Sequence, residues 1–523
     1  MQYLPLISVI IYLYLKFFRS YNLLQQNSYN ENNRYLKFCT KNFFKEIKWY
    51  DYLFIVVIVS VYINQIFLIT LLIYYILICL IYIKEKKIEQ VKKPLVVTSR
   101  IKRLIIVTSL AISILTVFLY KNVELLYITL GTLGIISNLF IFLIFLICIP
   151  IEKLVFLKFY FRAKKKLKSM PSLKTVGITG SYGKTSSKNI MYDILEGSFN
   201  TLKTPKSFNT LNGLMIVINN TLTKLDDLFI AEMGAYALGD IRKLCNLTSP
   251  SIGVVTNIGH AHLESFKSRE NIQKGKFELI ESLPKGGLAV LNKDDDYQTS
   301  YEIKNEVNVV WISINNDSDF KANNIRQSHK GITFDLYIKE ENKSYEFTTK
   351  LLGYNNVYNI LAAIAVGYKL GIKVEKLINA VSTVKQVEHR LELKTYKHIN
   401  IIDDAFNSNP VGSKMAVDVL GLMPNKKVII TPGMIELGKE QYNKNFEFGE
   451  HIATVCDKVV LIGKKQTKPI YDGLISKSYN KENIIIFNDV MDAFKYIEGF
   501  EQGTYVLLEN DLPDIFNEGG KKI

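Results

Sequence analysis

Between Tyr52 and Ile83 the chain runs without a single charged residue, and lysine-rich loops bracket the run on both sides. A stretch that long and that apolar has to be buried, in protein or in a bilayer. Three further apolar runs share the first third of the chain: Leu4–Phe18, Leu104–Tyr120 and Leu125–Ile151. The charge follows them. Residues 1–174 carry 24 Lys/Arg against 7 Asp/Glu, whereas the remainder carries 41 against 42. The formal charge of +16 is therefore a property of the apolar third. Bases that flank apolar runs are what cytoplasmic loops of membrane proteins require, so the charge does not indicate a nucleic-acid partner.

The loop before the long run holds Arg19, Arg34, Lys37, Lys41, Lys45 and Lys48, and the loop after it holds Lys84, Lys86, Lys87, Lys92 and Lys93. If both face the cytoplasm, the run crosses an even number of times, with a hairpin near Asn64-Gln65. That gives five passes, an outside N-terminus, an outside turn at Lys121–Glu124, and a return to the cytoplasm from Lys153. Each hairpin arm has only ~16 residues against the ~20 a pass needs, so a re-entrant hairpin is the alternative. Leu4–Phe18 does not read as a signal peptide, because its basic residues follow the apolar run and no small-residue cleavage site appears. Residues 153–174 read either as a basic amphipathic connector along anionic headgroups or as an ordinary linker helix. Five cysteines, none in a CxxC, supply neither a zinc ribbon nor a disulfide framework. The expected first domain is a multi-pass membrane domain, 1–168, with the rest of the chain cytoplasmic.

From Lys174 the pattern changes to short β-rich runs alternating with helical periods, the rhythm of an α/β sheet. Lys174–Thr179 reads as a buried strand and Lys184–Leu195 as a helix. Between them lies Gly180-Ser181-Tyr182-Gly183-Lys184-Thr185. A glycine-rich turn from strand into helix aims backbone N–H groups and the positive helix end at phosphate oxygens. Lys184 would neutralise a transferred phosphoryl group, and the Thr185 hydroxyl would ligate Mg²⁺. The general pattern GxxxxGK[ST] is incomplete, since Ile178 stands where its first glycine belongs.

The full string Gly177-Ile178-Thr179-Gly180-Ser181-Tyr182-Gly183-Lys184-Thr185-Ser186 resembles the variant phosphate loop of the Mur ligases, which use ATP to build the peptide of bacterial cell-wall precursors. Further likenesses follow in that family's order: Thr204–Gly213, Ala231-Glu232-Met233-Gly234 ending a strand Asp227–Ala231, and Thr256–Leu263 after a strand Ile252–Val255. Gly353–Ala363 resembles the nucleotide-side helix. Arg390 and Ile402–Pro410 resemble the start of the C-terminal domain, and Pro432–Gly438 is similar to the MurF branch. The resemblance covers about 174–512. It implies a P-loop ATPase domain over 169–386 and a Rossmann-like α/β domain over 387–523.

The reaction so implied activates a carboxylate with ATP as an acyl phosphate, which an amine then attacks. Gly180, Ser181, Gly183, Lys184, Thr185 and Ser186 would hold the phosphates. Thr185 and Glu232 would hold one Mg²⁺ and His262 a second, with His260 a bystander. Lys276 matches the lysine that these enzymes carbamylate to support the second metal; carbamylation needs an uncharged amine and therefore a desolvated pocket. Lys274, two residues away, is the competing candidate. Asn356 and Asn359, three apart on one helical face, would read the adenine edge. Asp404 would accept a ribose hydroxyl, and Arg390 would reach the γ-phosphate on domain closure.

Departures accompany the likeness. Asn355 replaces a histidine, His389 replaces the glycine before the arginine, and a strand Tyr505–Leu508 runs into Glu509, Asp511 and Asp514 where MurF enzymes carry a basic loop. The UDP-binding domain is replaced by the apolar third. The expectation is thus a membrane-anchored ATP-dependent carboxylate–amine ligase of cell-envelope synthesis, acting on an envelope precursor, lipid-linked or soluble. The alternatives are MurF activity itself, joining D-Ala-D-Ala to UDP-muramoyl-tripeptide, and a catalytically inactive membrane scaffold. Retention of Lys184, Thr185, Glu232, His262 and Lys276 together speaks against the scaffold.

Overall fold

The structure, a computed structural model, describes residues 3–27, 29, 33–54, 68–88, 94–259, 263–406, 409–435 and 437–510. The chain divides into two compact units, Met1–Lys158 and Phe159–Ile523.

The first unit is helical. Its helices are Leu6–Gln26, Arg34–Glu46, Leu68–Ile88, Ser99–Leu119, Val123–Ile135 and the start of Ser137–Lys168. Among the described residues, Ser99–Leu119 and Ser137–Lys168 are long and apolar enough to cross a bilayer, and Ile69–Lys84 and Val123–Ile135 are shorter apolar helices. That differs from the five passes read from the sequence. The hairpin at Asn64-Gln65 lies outside the described residues. The run Leu125–Ile151, expected as one pass, is two helices broken at Ile136. Just past the break, the Tyr35 hydroxyl donates to the Asn138 carbonyl at 3.2 Å. The first helix continues beyond Phe18 to Gln26, and its lysine is drawn into the packing of the unit. Lys16 is buried and pairs with the buried Asp51 at 2.7 Å, and Asp51 also accepts from the Tyr12 hydroxyl at 2.8 Å. A buried charge persists only when paired and hydrogen-bonded in this way.

In the second unit the strands are β1 (Lys174–Thr179), β2 (Thr201–Lys203), β3 (Leu228–Glu232), β4 (Ile252–Val255), β5 (Leu288–Asn292), β6 (Asn308–Ser313), β7 (Phe320–Ser328), β8 (Gly331–Ile338) and β9 (Lys343–Thr349). They form one sheet in the order β2-β3-β1-β4-β5-β6-β7-β8-β9. From β2 to β7 the pairing is parallel, and β7-β8-β9 are antiparallel. The sequence patterns differ accordingly. β1 and β3 are almost continuously buried, as strands covered on both faces must be, whereas β8 alternates buried and half-buried residues. Helix Lys184–Leu195 and helix Asn355–Lys369 cover the core with Ile190, Ile194, Ile360 and Ile364. Because β1 has β3 on one side and β4 on the other, the chain order reverses there, and the loops leaving all three strands open into one crevice.

The second sheet holds β10 (Glu392–Tyr396), β11 (Ile399–Asp404), β12 (Lys427–Thr431), β13 (Lys458–Ile462), β14 (Ile484–Phe487) and β15 (Tyr505–Glu509) in the order β10-β11-β15-β12-β13-β14. Only β10 is antiparallel. Asp404, Thr431 and Glu509 thus end adjacent parallel strands at the same edge.

Candidate active site

The phosphate loop is shaped by two glycines. Gly180 has φ +151°, and a Cβ there would lie 1.9 Å from Thr256 Oγ1, so no side chain fits. Gly183 has φ +79° and caps helix Lys184–Leu195, leaving the first N–H groups of that helix open to the crevice. The loop is strapped to the segment after β4. Ser181 N donates to Asn257 O at 2.9 Å, Tyr182 N to Asn257 Oδ1 at 2.8 Å, and Gly259 N to Ser181 Oγ at 2.9 Å. Thr256 Oγ1 donates to Tyr182 O at 2.6 Å. Asp295 in turn accepts from Ile258 N at 2.8 Å, fixing the far end of that segment.

Lys184 folds back over the loop, its Nζ donating to Gly180 O at 2.7 Å and Ser181 O at 3.1 Å. Burial pulls its pKa down to about 8, with Glu232 working the other way and Arg390 adding to the fall. Thr185 Oγ1 donates to Glu232, 3.1 and 3.2 Å from the two carboxylate oxygens. A hydroxyl and a carboxylate this close, at the mouth of a phosphate loop, are hard oxygen donors of the kind Mg²⁺ takes. Ser186 follows, half-buried. Two residues that sequence reasoning left without a role complete the cluster: Lys188 Nζ lies 2.9 Å from Glu232 Oε2, and Asn209 Nδ2 donates to Oε1 at 3.1 Å. The signal for Lys188 was available, since it stands three residues after Thr185 and shares its helical face.

Lys276 is 2 % exposed on helix Arg269–Glu281, and Lys274 is exposed. Burial first, and then the charge of Lys184, lowers the Lys276 pKa to about 7. Of the two lysines, only Lys276 is buried, the desolvated setting that carbamylation needs. His260 and His262 lie outside the described residues.

Asn356 and Asn359 share a face of helix Asn355–Lys369 but bond to one another. Asn359 Nδ2 donates to Asn356 Oδ1 at 3.0 Å, and Asn356 Nδ2 to Leu352 O at 2.8 Å. The Asn359 carbonyl oxygen stands 3.4 Å from where a Gly183 Cβ would be, so it packs against the phosphate loop. Arg390 stacks its guanidinium 4.5 Å from the Phe406 ring centre. Burial lowers its pKa, and Asp404 and Glu232 oppose that fall, which places the guanidinium in the field of both carboxylates. Asp404 accepts from Leu391 N at 3.2 Å. Burial and then Glu509 push its pKa up to about 7, against Arg390.

His389, where the family carries glycine, has φ +56°, the left-handed conformation that glycine adopts freely. Its Nδ1 is 2.7 Å from Asp403 Oδ2. With Glu392 these two make a cluster of metal-ligating type, but Lys394 Nζ already bridges Glu392 and Asp403 at 2.8 and 3.0 Å. The reading of Glu509 as part of an acidic run after the last strand needs correction. Glu509 is buried, accepting from Ser413 Oγ at 2.6 Å and Thr431 Oγ1 at 2.7 Å, so it ties the second sheet together. Asp511 and Asp514 lie outside the described residues.

Residues 178–367 match the Mur ligase middle domain and residues 389–509 the Mur ligase glutamate ligase domain. The UDP-N-acetylmuramoyl-tripeptide–D-alanyl-D-alanine ligase of Bacillus subtilis (strain 168) is 29% identical over 342 residues, 64% of this chain and 72% of that protein. The Escherichia coli (strain K12) enzyme of the same name is 32% identical over 296 residues, 56% of this chain and 65% of its own length. Among solved structures, the MurF ligase of Thermotoga maritima in complex with ADP superposes with a TM-score of 0.60 at 26% identity, over 68% of this chain and 80% of that one. With the phosphate loop, carboxylate and buried lysine gathered at the switch point of the first sheet, the chain belongs to the Mur ligase family and is an ATP-dependent acid–amino-acid ligase.

Proposed function

We propose that the chain joins the amine of D-alanyl-D-alanine to the terminal carboxylate of a muramoyl tripeptide, the reaction named for its relatives. The observation that carries this is the convergence of Lys184, Thr185, Glu232 and Lys276 on one crevice. In the first step a substrate carboxylate oxygen attacks the γ-phosphorus of ATP, and ADP leaves with the electrons of the broken P–O bond. In the second, the amine attacks the acyl phosphate carbonyl, phosphate departs, and the amine loses a proton. Thr185 and Glu232 would hold a Mg²⁺, which would supply positive charge to the phosphates. His262 and a carbamylated Lys276 would hold a second Mg²⁺.

The chain's own groups do the rest. Gly180, Ser181, Gly183 and Ser186 aim the loop and helix end at the phosphates, and Lys184 leaves its two carbonyl partners to follow the transferred phosphoryl group. Asn356 and Asn359 meet the adenine, Asp404 the ribose, and Arg390 the γ-phosphate. The domains that accompany this reading are 1–168 in the membrane, 169–386 for ATP and 387–523 for the incoming amine.

One observation favours a second reading. Both family matches lie in 178–509, whereas the first unit is helical and contains an apolar helix of bilayer length. A membrane-borne carrier in place of UDP on the muramoyl peptide is consistent with that arrangement, with the catalytic domains at the cytoplasmic face. Purified full-length protein in detergent decides between the two. ADP release that requires both UDP-muramoyl-tripeptide and D-Ala-D-Ala is expected. Release only with a membrane lipid extract would replace the first reading by the second, and none with either would remove both.

A further inference from the structure

Glu232 ends β3 with every oxygen already engaged. Lys188 holds Oε2 at 2.9 Å, Asn209 holds Oε1 at 3.1 Å, and the Thr185 hydroxyl sits near both. The Lys188 and Glu232 side chains are each 1 % exposed. Lys188 Nζ also donates to the carbonyl of Lys206, so one ammonium ties the phosphate-loop helix, the end of β3 and the loop 204–209 together.

These partners differ in how they respond to an arriving cation. Thr185 can turn its hydroxyl and present a lone pair, and the Asn209 amide can swing away with its loop. Lys188 has donors only, and its positive charge, 2.9 Å from Oε2 in a buried pair, repels a metal cation approaching that oxygen. It cannot leave, because departure would strand an unpaired charge in the interior.

We propose that Lys188 is a positioning residue that reserves Oε2 of Glu232 and so restricts the carboxylate to one metal-facing oxygen, Oε1. The inference rests on the metal-dependent nucleotide chemistry proposed above and adds a reason for its metal preference. Single-oxygen ligation suits Mg²⁺, which demands near-octahedral geometry, whereas Ca²⁺ accepts bidentate carboxylates and more ligands. Lys188 thereby discriminates between the two ions without touching either.

The test is the binding of labelled ADP to full-length protein in detergent, by equilibrium dialysis, with Mg²⁺ or with Ca²⁺ alone. Wild-type protein is expected to bind ADP more tightly with Mg²⁺. In Lys188→Met the carboxylate is free to turn both oxygens to the metal. Mg²⁺-supported affinity should then drop by about 10- to 100-fold, the range for lost partners of a metal ligand, while Ca²⁺-supported affinity holds or rises. Asn209→Ala, with Oε2 still held, should keep the preference for Mg²⁺. Lys188→Arg should keep it as well, and it decides the matter if the methionine variant does not fold. An unchanged metal ratio in Lys188→Met, a lost preference in Lys188→Arg, or an equal loss in Asn209→Ala would overturn the assignment. Wild-type protein that binds no ADP with either ion would instead overturn the ligase reading itself.

Discussion

Burial lowers the pKa of both Lys184 and Lys276, and the charge of Lys184 lowers that of Lys276 further; the chemistry asks different things of them. Lys184 has to stay charged beside phosphate. Lys184→Ala should therefore lower ADP release by about 10²–10³-fold, the usual loss for one preorganised electrostatic contact, with insertion into membranes unchanged. Carbamylation of Lys276, as proposed above, would require the amine to lose its proton before it takes up CO₂. Lys276→Ala should lose activity that short-chain carboxylic acids partly restore and bicarbonate does not, since an acid entering the vacated space returns the missing oxygens. The same lysine makes stability depend on pH. Its folded pKa of about 7 lies below the ordinary 10.5, so the unfolded chain binds more protons between those values. Stability should rise with pH across that window. Thermal melts from pH 7 to pH 9 should show the rise in wild-type protein and a shallower one in Lys276→Met; equal slopes would mean the amine is not desolvated.

At the scale of elements, the phosphate loop works because the segment after β4 holds it from behind. Asn257→Ala removes the acceptor for Tyr182 N and leaves that donor without its partner, at a cost of about 1–3 kcal/mol. The expected readout is weaker ADP binding, up to about a hundredfold, while Gly180→Ala should abolish it because a Cβ meets Thr256. Unaltered ADP affinity in Asn257→Ala would show that the strap is dispensable. These straps mark the limit of what the sequence discloses. β1 and helix Lys184–Leu195 emerge with the ends that their apolar pattern and glycines predict, and β3 differs by one residue at each end. Those boundaries are local, set by alternation and by turn chemistry. Lys188 on Glu232, Asn257 on Tyr182 and Glu509 on Ser413 and Thr431 join residues 44 to 96 apart, and spacing along the chain does not reveal such partners. Glu509 shows the error that follows: a carboxylate at a strand end reads as exposed charge until the neighbouring hydroxyls are seen.

Across the whole molecule, two kinds of sequence meet, and each carries its own test. If the apolar helices cross a bilayer, the basic flanks predict the loops around Lys93 and Lys168 in the cytoplasm and the Lys121–Glu124 turn outside. A reporter active only in the cytoplasm should work when fused after Lys93 or Lys168 and should be silent at Asn122. Activity at Asn122 would mean that Ser99–Leu119 does not cross, and would leave the apolar helices as a soluble bundle. The central claim, however, concerns chemistry: a carboxylate is activated by phosphoryl transfer in the crevice built around Lys184, Thr185 and Glu232. Its most direct measurement follows oxygen. With ¹⁸O in the reacting carboxylate of the muramoyl peptide, the acyl phosphate passes one labelled oxygen to phosphorus, and the inorganic phosphate released should carry a single ¹⁸O by mass spectrometry. Unlabelled phosphate, released in step with product, would contradict the account.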